Sequence, residues 1–349
     1  MLSEKNQVII YAQDKFGSEY AKTAIGFLRY SNQTVGVIDR KLAGKKVSDV
    51  CAGLPPVPIF ASVKEAKGVI PGADVLMIGI APPGGQFPSE WISDMKIALS
   101  CKMNIVNGLH DFLSNNEELK KIADLNNLFI WDVRKYVKEK TIANTRLLEY
   151  NTSIILTVGT DAAIGKMTVA LELTQAAKKH GCNAAFVATG QTGMMISRRG
   201  VPVDAITSDF MAGAIEAEII EVLKERKEKK DYIFVEGQGS ILHPGWSGVT
   251  LALLHGSLPH KLILCHKAGR SYLKDTKIKI ESLKQFIDIY EHLALPVRKA
   301  KVVGIALNTN GIAEGEAYNV IGNLESELNL PVDDVVRNSG EKLFKACQM

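Results

Sequence analysis

Short apolar runs rich in β-branched residues alternate with amphipathic stretches along the first part of the chain. The runs include VIIYA from Val8, TVGVID from Thr34 and DVLMIGIAP from Asp74, and amphipathic stretches such as SEWISDMKIALSCKM follow them. This alternation predicts a mostly parallel sheet with helices on its faces, because two parallel strands need a crossover connection. The sequence therefore indicates an α/β protein.

A second series of such runs begins after residues 134–151, which have no strand pattern and are expected to form a connection. Its strands are expected in IILTVGT, NAAFVATGQTG, DYIFVEGQG, KLILCHKAG and AKVVGIALNTNG. A length of 349 residues fits two domains. We predict one domain over residues 1–135 and a second over residues 136–349.

The composition argues against several classes of protein. The five cysteines are scattered and never spaced as C-x-x-C, so neither a disulfide framework nor a structural zinc site is expected. The sequence has no signal-peptide pattern and no apolar run of roughly 18 residues, so we expect a cytoplasmic protein outside the membrane. The formal charge of +4 is small, and the mixed-sign run KERKEKKD at 224–231 is expected to be a solvated helix end.

A stretch between a predicted strand and a predicted helix, VGTDAAIGKMT, has the character of a phosphate-binding loop. In the usual loop, G-x-x-x-x-G-K-[ST], backbone N–H groups and the lysine bind phosphate, and the hydroxyl after the lysine binds Mg²⁺. Here Met167 follows Lys166, and a thioether is a poor ligand for a cation that prefers oxygen. The residues expected to contact the phosphates are Gly159, Thr160, Asp161, Ala162, Ala163, Ile164, Gly165, Lys166, Met167 and Thr168.

The loop also departs from the usual spacing, since Gly159 lies six residues before Gly165 instead of five. The pattern GTD-x-x-x-GK has the spacing of dethiobiotin synthetase-like loops. The loop could belong to an enzyme that binds a phosphate-bearing ligand without cleaving its phosphates. Two alternatives to this interpretation stay open. One is an ATP-dependent ligase or kinase in which Asp161 and Thr168 hold Mg²⁺, and the other is a non-catalytic nucleotide-binding protein.

Titratable residues follow the later strands and are candidates for catalysis. Glu236 lies where P-loop NTPases keep a metal-binding or water-orienting carboxylate, or it caps the glycine-rich turn that follows. His243 could be a base near neutral pH, or it could be structural. Arg270 could clamp a substrate carboxylate through its planar fork, with His266 at the same strand end.

Further polar residues are expected to line the same crevice. Thr189, Gln191 and Thr192 follow a strand that we place next to the strand leading into the phosphate loop. Asp209 is a candidate substrate contact, but it also lies where an N-cap residue would precede a helix beginning near Phe210. We interpret Asp209 first as that cap.

Several blocks, taken in order, resemble one known family: GTDAAIGKMT, ATGQTGMMI, GVPVDAITSDFMAGAIE, VEGQGSILHPGWSGVTLALLHGSLPHKLILCHKAGR and GIALNT. It is a family described as a domain of unknown function, with a Rossmann-like N-terminal domain and a P-loop C-terminal domain, and D-glutamate N-acetyltransferase belongs to it. The resemblance covers nearly the whole chain. Arg198 and Arg199 depart from the smaller residues of that family at this point of the sequence.

The resemblance implies an N-acetyltransferase that uses acetyl-CoA and the amino group of an acidic amino acid, with D-glutamate as the first candidate. Coenzyme A carries its own phosphates, so the loop could hold it without Mg²⁺, and no metal is expected. The resemblance also places Gln238 and Ser240, within GQGS, beside the substrate, where backbone N–H groups would stabilise an oxyanion. We expect a small amino-acid substrate, no nucleic-acid or membrane partner, and a homo-oligomer.

Overall fold

The computed structural model describes residues 2–225 and 230–349. Residues 226–229, in the middle of the mixed-sign run, lie outside the described residues, and so does half of the helix end expected at 224–231. Contacts divide the chain into two compact units, Met1–Val137 with Met194–Ala205, and Lys138–Gly193 with Ile206–Met349. The sequence pattern assigns 194–205 to the second domain, whereas its contacts place it in the first unit.

The first unit contains a six-stranded parallel sheet in the order β3-β2-β1-β4-β5-β6. Its strands are β1 (Val8–Tyr11), β2 (Thr34–Ile38), β3 (Ile59–Phe60), β4 (Val75–Ile78), β5 (Asn104–Asn107) and β6 (Ile130–Asp132). Its helices are α1 (Lys22–Tyr30), α2 (Val47–Val50), α3 (Val63–Val69), α4 (Ile92–Ser100) and α5 (Glu117–Leu125). Every residue of β1 and β4 is buried, as expected for central strands whose two faces are both covered.

A second six-stranded parallel sheet, in the second unit, has the order β12-β11-β10-β7-β9-β8. Its strands are β7 (Ser153–Gly159), β8 (Ala184–Val187), β9 (Tyr232–Val235), β10 (Lys261–Lys267), β11 (Lys301–Asn308) and β12 (Val332–Asp333). The helices of this half of the chain are α6 (Lys166–Lys179), α7 (Gln191–Ser197), α8 (Ser208–Lys224), α9 (Ser247–Ser257), α10 (Leu283–Ala294), α11 (Glu314–Leu328), α12 (Val335–Asn338) and α13 (Glu341–Gln348).

The predicted α/β architecture is confirmed. The longer strands fall where the apolar runs predict them, and Gly181, with φ of 77°, ends α6 as expected. Strands β3 and β12 were not predicted, because two residues are too few to produce a pattern. Within the described residues, no helix is long and apolar enough to cross a membrane.

One expectation about strand order is wrong. The sequence places the strand before Thr189 next to the phosphate-loop strand, but β9 pairs with β7 and β8 lies at the sheet edge. Strand order in a parallel sheet depends on which side each crossover takes, and local sequence does not encode it. The segment after β8 nevertheless reaches the site, because it contacts Glu236 at the end of β9.

Helix α8 packs closely against α9, and a glycine permits the approach. A Cβ atom added to Gly256 would lie 2.5 Å from the backbone oxygen of Ala212 on α8. Gly322, on α11, is a helical glycine in a contrasting setting, since an added Cβ would meet no atom within 4 Å. The two positions separate backbone crowding from the general effect of replacing glycine in a helix.

We therefore predict that Gly256→Ala lowers the free energy of unfolding by about 1–3 kcal/mol, because helix backbone cannot move aside as a side chain can. The control Gly322→Ala should be neutral or should stabilise the protein by up to about 1 kcal/mol, since alanine favours helix more than glycine does. Urea unfolding measures both. Equal effects of the two substitutions would contradict the close packing of α8 on α9.

Candidate functional site

The loop between β7 and α6 has the conformation of an anion-binding loop. Ala163 and Gly165 have positive φ angles of 55° and 111°, which turn the backbone around the loop. In the described structure, the backbone N–H groups of residues 163–168 donate to no protein acceptor. Unpaired amides at the start of a helix, together with its dipole, are suited to bind phosphate.

Lys166 brings a cation to this loop from a buried position. Its Nζ donates a 2.7 Å hydrogen bond to the backbone oxygen of Asp161. Burial lowers the pKa of Lys166 to about 8, with the charge of Arg270 acting in the same direction. Gly159 leaves room for the lysine, because an added Cβ would lie 3.1 Å from Nζ and 2.7 Å from Ile164 Cδ1. Near pH 7 the lysine is therefore charged, and its ammonium group lies inside the loop.

The carboxylate of Asp161 is fully buried within the same loop. Its Oδ2 accepts hydrogen bonds from Arg270 Nη1 at 2.7 Å and from the backbone N–H of Lys274 at 2.8 Å. Its Oδ1 accepts from the backbone N–H of Ala162 at 2.7 Å. Arg270 Nη1 also donates to the backbone oxygen of Ala162 at 2.9 Å, so the pair ties the segment after β10 to the phosphate loop.

One nitrogen of the Arg270 guanidinium group, Nη1, is therefore already hydrogen-bonded within the protein. Within the part of the chain that the structure describes, its Nε and Nη2 atoms have no protein acceptor. The arginine side chain is 21% exposed. It can brace the loop through Nη1 and still bind a ligand anion through its other nitrogens.

Glu236, directly after β9, forms a second buried cluster. Its Oε2 accepts hydrogen bonds from the backbone N–H groups of Thr189 at 2.9 Å and Gly190 at 3.2 Å. Its Oε1 accepts from Gln238 Nε2 at 3.2 Å. Burial raises the pKa of Glu236 to about 7, against the opposing effect of these hydrogen bonds and of Lys166. The carboxylate can therefore exchange a proton near neutral pH.

The glycines after β8 are needed for this cluster. A Cβ added to Gly193 would lie 2.5 Å from Glu236 Oε2, and one added to Gly190 would lie 2.7 Å from Gln238 Nε2. Thr189 is buried, and its hydroxyl donates to the backbone oxygen of Glu236 at 2.7 Å. Of the three polar residues expected in this segment, Thr189 contacts Glu236, and Gln191 and Thr192 lie half-buried in the first turn of α7.

The GQGS segment is linked to the phosphate loop by Tyr290, which sequence reasoning missed. The Tyr290 hydroxyl donates to the backbone oxygen of Gly159 at 2.7 Å and accepts from the backbone N–H of Ile241 at 3.1 Å. Burial raises the pKa of Tyr290 to about 12, so it stays a donor. Ser240, beside Ile241, is fully buried. Tyr290 belongs to no sequence motif, so no local signal identified this role.

His243 and His266 have different surroundings. His243 accepts a 3.1 Å hydrogen bond from the backbone N–H of Gly245 at Nδ1, so its Nε2 carries the proton that it shares with the backbone oxygen of Lys274 at 2.9 Å. His243 also stacks on Trp246, with ring centroids 4.0 Å apart. Both of its nitrogens are occupied, which favours the structural interpretation.

His266 contacts the phosphate loop directly. Its Nδ1 lies 2.9 Å from the hydroxyl oxygen of Thr160, which is fully buried. Burial, together with the positive charge of nearby Arg270, lowers the pKa of His266 to about 4. The ring is therefore neutral at physiological pH and positions the loop through a hydrogen bond.

The interpretation of Asp209 as an N-cap is wrong. Helix α8 begins at Ser208 with Thr207 as its N-cap, so Asp209 lies in the first turn. The expected boundary fell two residues too late, because Thr207, Ser208 and Asp209 are all residue types that cap helices. Asp209 is exposed, and its negative charge interacts favourably with the positive end of the helix dipole.

The start of α6 is also where a nucleotide-bound metal would be held. Met167 and Thr168 are its second and third residues, and both are half-buried. Among the residues that the structure describes, no group of three or more His, Cys, Asp or Glu side chains could hold a metal ion by itself.

A lysine-bearing anion loop between a strand and a helix, at the carboxyl edge of a parallel sheet, defines a P-loop domain, here accompanied by a Rossmann-like unit. Residues 141–344 match the domain of unknown function DUF1611_C, a P-loop domain, and residues 40–136 match DUF1611_N, a Rossmann-like domain. The chain belongs to the DUF1611 family.

Related proteins cover most of the chain. One from Tritonibacter scottomollicae, named D-glutamate N-acetyltransferase, is 35% identical over 82% of this chain and 84% of its own length. Another of that name, from a Pseudoalteromonas species, is 32% identical over 78% of this chain and 80% of its own. The family thus includes proteins named as N-acetyltransferases.

A solved structure has the same fold throughout. The crystal structure of a DUF1611 family protein from Anabaena variabilis is 39% identical to this chain and has a TM-score of 0.93. The similarity covers 99% of both chains. Both domains of the predicted family fold are therefore confirmed.

The link between Asp161 and Arg270 gives a stability prediction. Asp161→Asn should lower the free energy of unfolding by about 1–3 kcal/mol, because it removes the charge that Arg270 and the Lys274 amide contact in a buried setting. The control Asp275→Asn removes a carboxylate that is 73% exposed and pairs with Lys274, and should change stability by less than about 1 kcal/mol. Urea unfolding of both variants measures this difference, and equal small effects would contradict a bracing role for Asp161.

Proposed function

We propose that this protein is an N-acetyltransferase that moves an acetyl group from acetyl-CoA to the amino group of an acidic amino acid, with D-glutamate as the first candidate. The observation that carries the proposal is an anion-binding loop with unpaired amides at residues 163–168, with Met167 in place of the Mg²⁺-binding hydroxyl. The names of two relatives support the reaction class.

The loop fits the phosphates of coenzyme A. A pyrophosphate or 3′-phosphate can accept hydrogen bonds from the amides of residues 163–168, and the Lys166 ammonium neutralises part of its charge. Acyl transfer breaks no phosphoanhydride bond, so it needs no Mg²⁺ to stabilise a departing phosphate. Met167 is then compatible with function, whereas in an ATPase it would remove a metal ligand.

Glu236 is the base in this proposal. It takes a proton from the acceptor ammonium group, and a carboxylate with a pKa of about 7 can do so near neutral pH. The free amine then attacks the thioester carbonyl, so that a C–N bond forms and the C–S bond breaks. The proton held by Glu236 passes to the departing thiolate of coenzyme A, and the regenerated carboxylate takes the second proton from the new amide nitrogen and releases it to solvent. His243 is a weaker candidate, because both of its nitrogens already have backbone partners.

Oxyanion stabilisation is assigned to the GQGS segment. In the described structure, the backbone N–H groups of Gln238, Gly239 and Ser240 have no protein acceptor. Gly239 has a positive φ of 63°. A residue with positive φ in such a segment can turn successive backbone N–H groups toward one anion. The free Nε and Nη2 donors of Arg270 are the proposed contact for an acceptor carboxylate.

The reaction is tested by mixing the protein with acetyl-CoA and a panel of D- and L-amino acids while free thiol is measured colorimetrically. We expect acceptor-dependent thiol release, fastest with an acidic D-amino acid, unchanged by EDTA and not stimulated by Mg²⁺. Thiol release that ignores the acceptor would indicate thioester hydrolysis. ATP consumption that requires Mg²⁺, without thiol release, would replace the proposal with the ligase or kinase alternative.

The role of Glu236 gives a pH prediction. A base must be deprotonated to act, so kcat should rise with pH through about 7 and then level off as the Glu236 carboxyl loses its proton. Glu236→Gln should lower kcat by about 10²–10⁴-fold and abolish this rise, with coenzyme A affinity retained. His243→Asn is the comparison, and it should keep the rise. The opposite result would return the base role to His243.

A further inference from the structure

A cavity of about 540 Å³ lies in the first unit, at the carboxyl ends of its strands. Residues that follow four strands line it, namely Gln13 after β1, Arg40 after β2, Ala61 after β3 and Ile80 after β4. The order β3-β2-β1-β4 makes the junction of β1 and β4 the point where the chain switches sides. Parallel sheets bind ligands at such a point.

The cavity lacks the features that bind a dinucleotide. The segment after β1, AQDKFGSEY, contains no G-x-G-x-x-G pattern and carries an acidic residue, Asp14, where a pyrophosphate would lie. Asp39, at the end of β2, is buried, and its carboxylate accepts from the backbone N–H groups of Phe16 and Lys41, each at 2.9 Å. Asp39 is almost fully buried and does not line the cavity, so it is not available to a ribose hydroxyl there.

At the nearby N-terminus of α3, side chains already accept hydrogen bonds from backbone N–H groups. Ser62 Oγ accepts from the backbone N–H of Glu65 at 3.2 Å, and Glu65 Oε2 accepts from the backbone N–H of Ala61 at 2.8 Å. This reciprocal cap uses amides that a phosphate would need. A phosphate-bearing ligand thus finds neither a glycine-rich loop after β1 nor an open start of α3.

Charges of both signs line the cavity instead. Lys15 and Arg40 are cationic, and Asp14, Glu90 and Asp94 are anionic. Arg40 Nη2 pairs with Asp14 at 2.7 Å, while its Nε and Nη1 have no acceptor among the described residues. Such a lining suits a ligand that carries both charges.

Polar groups near the buried Tyr11 add unsatisfied bonding capacity. The Tyr11 hydroxyl, which burial and Asp94 keep protonated by raising its pKa, donates to Asp94 Oδ2 at 2.7 Å. Asp94 Oδ1 has no donor in the described part of the chain. Gln13 is only 8% exposed, and its Oε1 accepts from the Arg40 backbone N–H at 3.1 Å. Its Nε2 has no acceptor there, so a carboxylate oxygen and an amide donor are both open to contact with a ligand.

We propose that this cavity binds a free α-amino acid, whose ammonium group contacts Asp94 and whose carboxylate contacts Gln13 and Arg40. An ammonium group satisfies the open carboxylate oxygen, and a carboxylate satisfies the amide and guanidinium donors. Every residue in this inference belongs to the first unit. The inference does not rest on the proposed acetyl transfer.

Calorimetry on the full chain tests the proposal with D-glutamate, L-glutamate, glycine, succinate, propylamine, AMP and NADH as probes. We expect binding of amino acids and none of succinate or propylamine, each of which lacks one of the two charged groups. Asp94→Asn should weaken amino-acid binding by at least about tenfold, since a hydrogen bond to a charged group is lost. Glu118→Gln is the control, because this carboxylate is 63% exposed and pairs with Lys96 outside the cavity.

Further variants distinguish the loss of a ligand contact from a failure to fold. Arg40→Gln changes a side chain that is 63% exposed, so it should fold even if Asp94→Asn does not, and it should also weaken binding. Binding that is lost in Arg270→Ala but kept in Asp94→Asn and Arg40→Gln would overturn the proposal. So would binding of NADH or AMP in this cavity, or no amino-acid binding at all.

Discussion

The buried carboxylate of Asp161 is the group on which the phosphate loop depends. A negative charge inside an anion-binding loop is unfavourable unless it is fully compensated. Arg270 and the amides of Lys274 and Ala162 provide that compensation, and in doing so they fix the segment after β10 against the loop. The hydrogen bond from Lys166 Nζ to the backbone oxygen of Asp161 then holds the ammonium group inside the loop. The loop is thereby shaped by an ion pair from a distant part of the sequence.

Burial shifts two titratable groups of the second unit toward neutrality. It lowers the pKa of Lys166 to about 8 and raises that of Glu236 to about 7, because a low-dielectric surrounding disfavours either charge. Their mutual attraction opposes both shifts without cancelling them. Near neutral pH the lysine can therefore bind an anion while the glutamate exchanges a proton. These are the properties needed for holding a coenzyme and for deprotonating an amine.

The two sheets use the carboxyl ends of their strands in different ways. The second sheet presents unpaired backbone amides and a lysine, which suit phosphate. In the first sheet, Asp39 after β2 and the backbone at the start of α3 already make hydrogen bonds within the protein. The cavity lining there carries both positive and negative side chains. Two parallel α/β sheets in one chain thus offer sites for chemically different ligands.

The sequence by itself determined the α/β class, the longer strands and the phosphate loop, because hydrophobic period and the G-K pattern are local properties. It also placed Glu236, Arg270 and His266 at the carboxyl ends of strands of one parallel sheet, where they meet at one edge. Only the tertiary structure decided that β9 lies between β7 and β8, that Tyr290 joins two loops, that both nitrogens of His243 are occupied, and that 194–205 packs in the first unit. These features depend on contacts between residues far apart in the chain, and no local pattern encodes which distant groups will meet.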